Sequence, residues 1–385
     1  MIAYIYFLPP KTSIGVYKKI EDQIIDLQNI ATARLKIFII SPTIEKSSTV
    51  AEYRKYNTSS NRFFRLLQIA FRKFVVIEKT IPELKKFNTI ILRYPGADFT
   101  AGSFYKKHNI VTELHSIVPE ELRMKFKDNK TLISKFIKAI RILQEEALFK
   151  SILCKSKGII TVSGDVMDYI QKKKINSHVS VIGNGISLSR IPQKGFLPYN
   201  GKDITLTFIG SRPAEPQNGL NRLISSLDIE DQKKNITINV IGKVSEREKL
   251  SANYINLVYH GIQSQNNINT ILESTNACIC QLAFYKKRLN NTSTIKVPEY
   301  TAYGIPFILA YSDNNLKKKP RNHYYLQLDN NDELIKVEEI ISFLTNITKK
   351  RDEIINEMYA FAVKYLTWSN KLAQYMHFVD RINTP

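Results

Sequence analysis

Short apolar runs alternate along this chain with polar turns and with longer segments whose apolar residues recur at helical spacing. In the first half the runs are Ile2–Leu8, Leu35–Ser41, Thr89–Arg93, Ile110–Glu113, Gly158–Val162 and Ser180–Ile182. A second series follows: Thr205–Ile209, Thr237–Ile241, Leu257–His260, Ala277–Gln281, Phe307–Ala310 and Tyr325–Leu328. Runs of this length, bounded by turn residues, read as strands buried on both faces. Between them, Val16–Ile30, Lys130–Lys155, Gly219–Ser226 and Glu333–Phe343 carry the pattern of amphipathic helices. Strand and helix in alternation predict an α/β fold with parallel sheets covered by helices on both faces.

The series occurs twice. Between the two copies lies NGISLSRIPQKGFLPYNGKD (184–203), rich in Gly, Pro and Asn, which reads as a linker with the boundary near 187–202. The expected organisation is residues 1–186 and 187–365 as two Rossmann-like domains facing each other across a cleft. Residues 366–385, which hold the single tryptophan Trp368, form a terminal helix that either crosses back to the first domain or packs as an ordinary core helix. In open parallel sheets ligands bind beyond the carboxyl ends of the strands, so both domains would direct those ends into the cleft.

Composition narrows the function. The 385 residues carry a formal charge of +21, which points to an acidic partner such as nucleic acid, an anionic membrane or a phosphorylated ligand. The cysteines, Cys154, Cys278 and Cys280, are odd in number and include no CxxC pair, which argues against a disulfide framework or a zinc site. Cys278 and Cys280 alternate in an apolar run and read as core residues of a strand. The N-terminal apolar run stops at Pro9 and lacks a basic leader, so it reads as a first strand and not a signal peptide. No uninterrupted apolar stretch reaches the roughly 18 residues a membrane-spanning helix needs. These features predict a cytoplasmic protein, peripheral to a membrane at most.

Three segments carry candidate chemistry. In STIKVPEYTAYGIPFI (293–308) a polar loop leads into a helix around Pro298–Ala302 that stops at Gly304. A helix start offers unpaired N–H groups to a diphosphate, and Lys296 adds a mobile positive charge. Glu299 either accepts hydrogen bonds from a ribose or is simply a favourable charge at a helix start. In TFIGSRPAEPQNGLNRLISSL (207–227) a strand ends at Gly210, where backbone can approach a ligand closely, followed by Ser211 and Arg212, whose fork of donors suits a diphosphate. In IAYIYFLPPKTSIGVYKKIEDQI (2–24) a loop with Gly15 precedes a helix; Gly15 is read as a ligand-approach residue, and Lys18 and Lys19 as a solvated face.

These segments, in this order, resemble the retaining GT-B glycosyltransferases of family 4. NIVTELHSIVPEEL (109–122), GIITVSGDVMDYI (158–170), VSVIGNGIS (179–187), NLVYHGIQ (256–263) and IPFILAYSDNN (305–315) match further landmarks, so the resemblance spans nearly the whole chain. It implies a nucleotide-sugar donor, a UDP-sugar, and a glycan or lipid-linked glycan acceptor in surface polysaccharide assembly. It implies no other cofactor and no metal; no DxD-like motif lies in the site. It implies that Gly15, Gly210, Ser211, Arg212, Asn291, Thr292, Ser293, Lys296 and Glu299 hold the donor. His115, Arg212 and Lys296 are the implied catalytic groups: His115 hydrogen-bonds a donor-sugar hydroxyl, and the two cations neutralise the leaving diphosphate. Glu113 is a weaker candidate beside His115. Two departures stand out. Asn291 occupies the place of the first of the family's paired glutamates, and Asn218-Gly219 replaces Lys-Gly, removing one phosphate charge unless Lys296 supplies it.

Two other functions compete with transfer. A sugar-nucleotide epimerase of the same architecture would need no acceptor, but the site is poor in acids. A nucleic-acid-binding protein would explain the charge, but no zinc spacing, aromatic RNA-binding motif or helix-turn-helix signature is present. Finally, NRFFRLLQIAFRKFVV (61–76) has helical spacing, with Arg62, Arg65, Arg72 and Lys73 toward one side and aromatic residues on the other. It reads either as a membrane-surface helix near a lipid-linked acceptor or as a helix covering the sheet.

Overall fold

The computed structural model describes residues 1–9, 14–28, 34–42, 50–57, 72–126, 132–230, 234–317 and 323–384. The chain divides into two compact units, Met1–Ile182 with Leu372–Pro385, and Gly183–Lys371.

Among the described residues the first unit contains seven parallel strands: β1 (Ile2–Phe7), β2 (Leu35–Ser41), β3 (Ala51–Lys55), β4 (Thr89–Arg93), β5 (Ile110–Leu114), β6 (Gly158–Thr161) and β7 (Val179–Val181). Their order across the sheet is β3-β2-β1-β4-β5-β6-β7, so the winding reverses between β1 and β4. Six helices belong to it among the described residues: α1 (Ile14–Gln28), α2 (Lys73–Thr80), α3 (Ala101–Lys107), α4 (Val118–Phe126), α5 (Leu132–Leu153) and α6 (Gly164–Lys172). Every residue of β1 is buried, because alternate side chains enter different cores. Tyr4 and Tyr6 pack with Ile20 and Leu27 of α1 and with Leu372, Tyr375 and Phe378. Ala3, Ile5 and Phe7 pack with Phe74 and Ile77 of α2 and Phe104 of α3.

β3 has no counterpart among the expected strands. Its sequence, AEYRK, carries no apolar run, and apart from Ala51 its residues are partly or fully exposed. An edge strand is held by backbone pairing on one side, here to β2, and needs no apolar signature.

The second unit repeats the plan with β8 (Asp203–Ile209), β9 (Asn235–Ile241), β10 (Asn256–Gly261), β11 (Ala277–Ile279), β12 (Asn291–Thr292), β13 (Phe307–Leu309), β14 (Ser312–Asp313) and β15 (Tyr325–Gln327). The main sheet runs β10-β9-β8-β11-β13-β15, all parallel, and reverses between β8 and β11. β12 and β14 form a separate two-stranded pair. Its helices are α7 (Leu220–Leu227), α8 (Gln265–Glu273), α9 (Lys296–Tyr303), α10 (Val337–Lys349) and α11 (Arg351–Phe361). α9 is buried along its whole length and ends at Gly304, whose φ of +73° is the left-handed cap that glycine adopts without strain. Cys278 and Cys280 are free and buried beside it. A last helix, α12 (Trp368–Asn383), begins in the second unit, and from Leu372 onward the chain belongs to the first.

Among the described residues no helix is long and apolar enough to cross a membrane. Arg62 and Arg65 of the expected membrane-facing helix lie outside the described residues. Arg72 is exposed just before α2. Lys73 does not join it on a solvated face: it is 3% exposed, and its amine donates to the carbonyls of Gly96 at 2.9 Å and Ala97 at 3.0 Å. Phe74 and Ile77 pull that end of α2 onto the sheet, and a buried ammonium must then find internal acceptors.

Candidate active site

In each unit the strand order reverses at a switch point, where open parallel sheets bind ligands. In the second unit that point is the end of β8. Gly210, Ser211 and Arg212 follow the strand, and both Ser211 and Arg212 are exposed. Among the described residues the Arg212 guanidinium has a loose ion pair, 3.8 Å from Glu215. Asn218, where the family resemblance expects a lysine, is buried and turned inward. Its amide donates to the carbonyls of Arg212 at 2.8 Å and Pro213 at 3.1 Å, so it fixes the loop and brings no charge to it.

Lys296 is the first residue of α9, and the mobile side chain expected there is in fact held in place. It is 9% exposed, its amine lies 3.3 Å from the centre of the Phe208 ring, and it has no hydrogen-bond acceptor among the described residues. A Cβ on Gly210 would stand 3.9 Å from that amine, so the glycine leaves the approach to it open. Burial pulls the amine down from 10.5 to about 7, against the opposing pull of Cys280, Cys278 and Glu299. A buried donor without an acceptor is costly, and an incoming oxyanion would relieve that cost. Glu299 lies in the first turn of α9 and is buried.

Asn291 and Thr292 form β12, and Ser293 is committed to the interior. Its hydroxyl accepts from the Asn184 N–H at 3.0 Å and from the Asn315 amide at 2.8 Å. Asn315 in turn accepts from the Lys371 amine at 2.8 Å. The Ser293 side chain thus positions the loop before α9, leaving the neighbouring backbone as the part of this stretch that can meet a ligand. Gly242 closes the back of the site at φ +139°, and a Cβ there would come within 1.8 Å of the Gly210 carbonyl. Gly242→Ala is expected to destabilise the protein by ~1–3 kcal/mol through forced backbone strain. Thermal melting of the variant checks the loss.

In the first unit the carboxyl ends of β4 and β5 open into a cavity of about 400 Å³, lined among others by Arg93, Gly96, Glu113, His115 and Arg141. Glu113 is fully buried and accepts from Tyr4 at 2.6 Å, Lys19 at 2.7 Å and Tyr375 at 3.0 Å. The His115 Nε2 stands 2.8 Å from the same carboxylate and 3.1 Å from the Lys19 amine. Burial alone would raise the Glu113 carboxyl, but Lys19, His115 and Arg93 hold it well below the usual range. Burial, with Arg93 and Lys19 adding to it, pushes His115 down to about 3, so its ring is neutral at pH 7. The ring is suited to hydrogen bonding, held by Glu113, while its side chain remains about a quarter exposed.

Gly15 is the second residue of α1 and not part of a loop. Lys19, read from the sequence as part of a solvated face, is 3% exposed and paired. One signal for it was present in β1: Tyr4 and Tyr6 fall on the same face of a buried strand, and buried tyrosine hydroxyls require polar partners. Arg93 was read only as the end of a strand.

The two doubly wound units with this strand order have the fold of the GT-B glycosyltransferases. A glycosyltransferase from Rickettsia africae ESF-5 superposes with a TM-score of 0.64 and 14% identity, covering 100% of this chain and 98% of its own. Sucrose-phosphate synthase from Thermosynechococcus elongatus gives 0.65 at 12% identity, covering 99% and 98%. HepE from Anabaena, solved with UDP and glucose, gives 0.58 at 11% identity, covering 98% and 99%. No protein-family model matches the chain, and no curated protein matches it by sequence.

Proposed function

We propose that this protein is a glycosyltransferase that moves a sugar from a nucleotide-diphosphate sugar, a UDP-sugar, to a glycan or lipid-linked glycan acceptor in surface polysaccharide assembly. The observation that carries this reading is Lys296: a buried amine without an acceptor, at the start of a helix and under a glycine at the switch point. Sugar transfer breaks the bond between the anomeric carbon and the diphosphate while the acceptor oxygen bonds to that carbon. Negative charge grows on the departing phosphate, and Lys296, Arg212 and the N–H groups at the start of α9 would neutralise it. Lys296 thereby supplies the charge that Asn218 does not. Following the family resemblance, the acceptor proton passes to the leaving phosphate and the anomeric configuration is retained. The same resemblance gives His115 the role of holding a sugar hydroxyl.

Screening nucleotide-sugars by thermal shift tests the proposal, since a ligand that binds only the folded chain raises its melting temperature. UDP-sugars should raise it, and a flat response across the whole panel would refute the reading. Glu299 provides a sharper probe. Glu299→Gln should weaken UDP by roughly tenfold, as expected for a lost charge-assisted bond. It should leave 2′,3′-dideoxy-UDP unaffected. Equal losses for both nucleotides would assign Glu299 to the helix start instead.

A further inference from the structure

The cavity of the first unit has more donors than its own structure uses. Its acids are already satisfied: Glu113 by Tyr4, Tyr375, Lys19 and His115, and Glu121 by the Ser116 hydroxyl at 2.6 Å. Behind the wall, Glu145 accepts from the Ala97 N–H at 2.6 Å and the Tyr94 hydroxyl at 3.0 Å. The guanidinium groups are not matched in the same way. The Arg93 Nη1 is buried without a partner among the described residues, with its guanidinium 5.7 Å from the centre of the Tyr6 ring. Arg141, exposed on α5, lines the same cavity, its Nη2 3.7 Å from where a Cβ on Gly96 would stand.

The wall between them is a tightly packed loop. Gly96 sits at φ +89°, and a Cβ there would come within 2.5 Å of the Glu145 carboxylate. The loop is pinned from behind by the buried Lys73 amine on the Gly96 and Ala97 carbonyls. Two arginines lining one cavity, one of them with an unmet buried donor, suit the paired oxygens of a carboxylate or phosphate.

We propose that this cavity binds an oxyanion carried by the acceptor, so that the preferred acceptor is an acidic sugar, either a uronic acid or a sugar phosphate, clamped by Arg93 and Arg141. The inference rests on the glycosyltransferase reading for the word acceptor, but the site is testable apart from it. The full-length protein, with UDP at saturation to occupy the second unit, is titrated calorimetrically with glucose, glucuronate and glucose 6-phosphate. At least one anionic sugar should bind roughly tenfold or more tighter than glucose, and which one does separates carboxylate from phosphate. Arg141→Gln, a change at an exposed side chain that spares the fold, and Arg93→Gln should each remove most of that preference while leaving UDP affinity unchanged. Equal or undetectable binding of the three sugars, or a preference that survives both substitutions, would overturn the proposal. Failure of UDP itself to bind, with the sugar preference intact, would overturn the glycosyltransferase reading and leave the oxyanion site standing.

Discussion

Replacing Lys296 by Met is expected to raise the melting temperature at neutral pH while removing most of the transfer activity. The two effects have one cause. The amine is buried over Phe208 with no acceptor, so in the ligand-free fold its charge is a desolvation cost that a methionine of similar length does not carry. On the proposed function the same charge would meet the departing diphosphate, and loss of one such preorganised group lowers a rate by ~10²–10³-fold. The pH dependence carries a matching signature. The unfolded chain holds this proton up to about 10.5 and the folded chain only to about 7, so in that window the unfolded state binds more protons. The contribution of Lys296 to stability therefore rises from pH 7 toward 10.5 and is at its lowest below 7. The wild-type protein should show this rise and the Met variant should lose its share of it, so the advantage of the variant shrinks as pH increases. Melting curves across that range, with initial rates of nucleoside diphosphate release, read both effects. A variant that melts lower and turns over normally would make Lys296 a structural residue.

Glu113→Ala should be the most destabilising single change in the first unit. It strips the carboxylate from Lys19, Tyr4, Tyr375 and His115 together, and removing one partner of a buried ion pair costs ~3–5 kcal/mol. The loss comes mainly from the stranded Lys19 charge, so Lys19→Met added to Glu113→Ala should recover part of it. Denaturant titration of the wild type, both single variants and the double variant measures that coupling. A double variant no more stable than Glu113→Ala would show that the ammonium is not the liability. The carboxyl is held well below its ordinary value in the fold, so its contribution is present above the ordinary carboxylate range. It disappears as pH falls through the depressed folded value, and Glu113→Ala should lose this part of the acid sensitivity.

The parallel sheets were legible because strands buried on both faces must be apolar throughout, and Leu35–Ser41 and Thr89–Arg93 form with the bounds their apolar runs define. The edge strand Ala51–Lys55 was not, since pairing on one side leaves no mark on hydropathy. The strand before Gly210, the turn through Arg212 and the helix α9 were legible as local structure. The charged side chains were the weak point. Lys19, Lys73 and Lys296 were read as solvated or mobile, yet all three are buried. A lysine on a short amphipathic stretch looks the same whether its amine meets water or a carboxylate brought by a distant strand. Glu113 lies 94 residues from Lys19, and nothing local announces that pairing.

The most direct test of the central claim is calorimetric titration of the wild type and of Lys296→Met with UDP and UMP. The account predicts that UDP binds the wild type more tightly than UMP does, because the second phosphate is the group that meets Lys296. It predicts that Lys296→Met weakens UDP at least about tenfold, the scale of one charge-assisted bond, and changes UMP little. Equal UDP affinity in the two proteins, or no binding of UDP to the wild type, would contradict it.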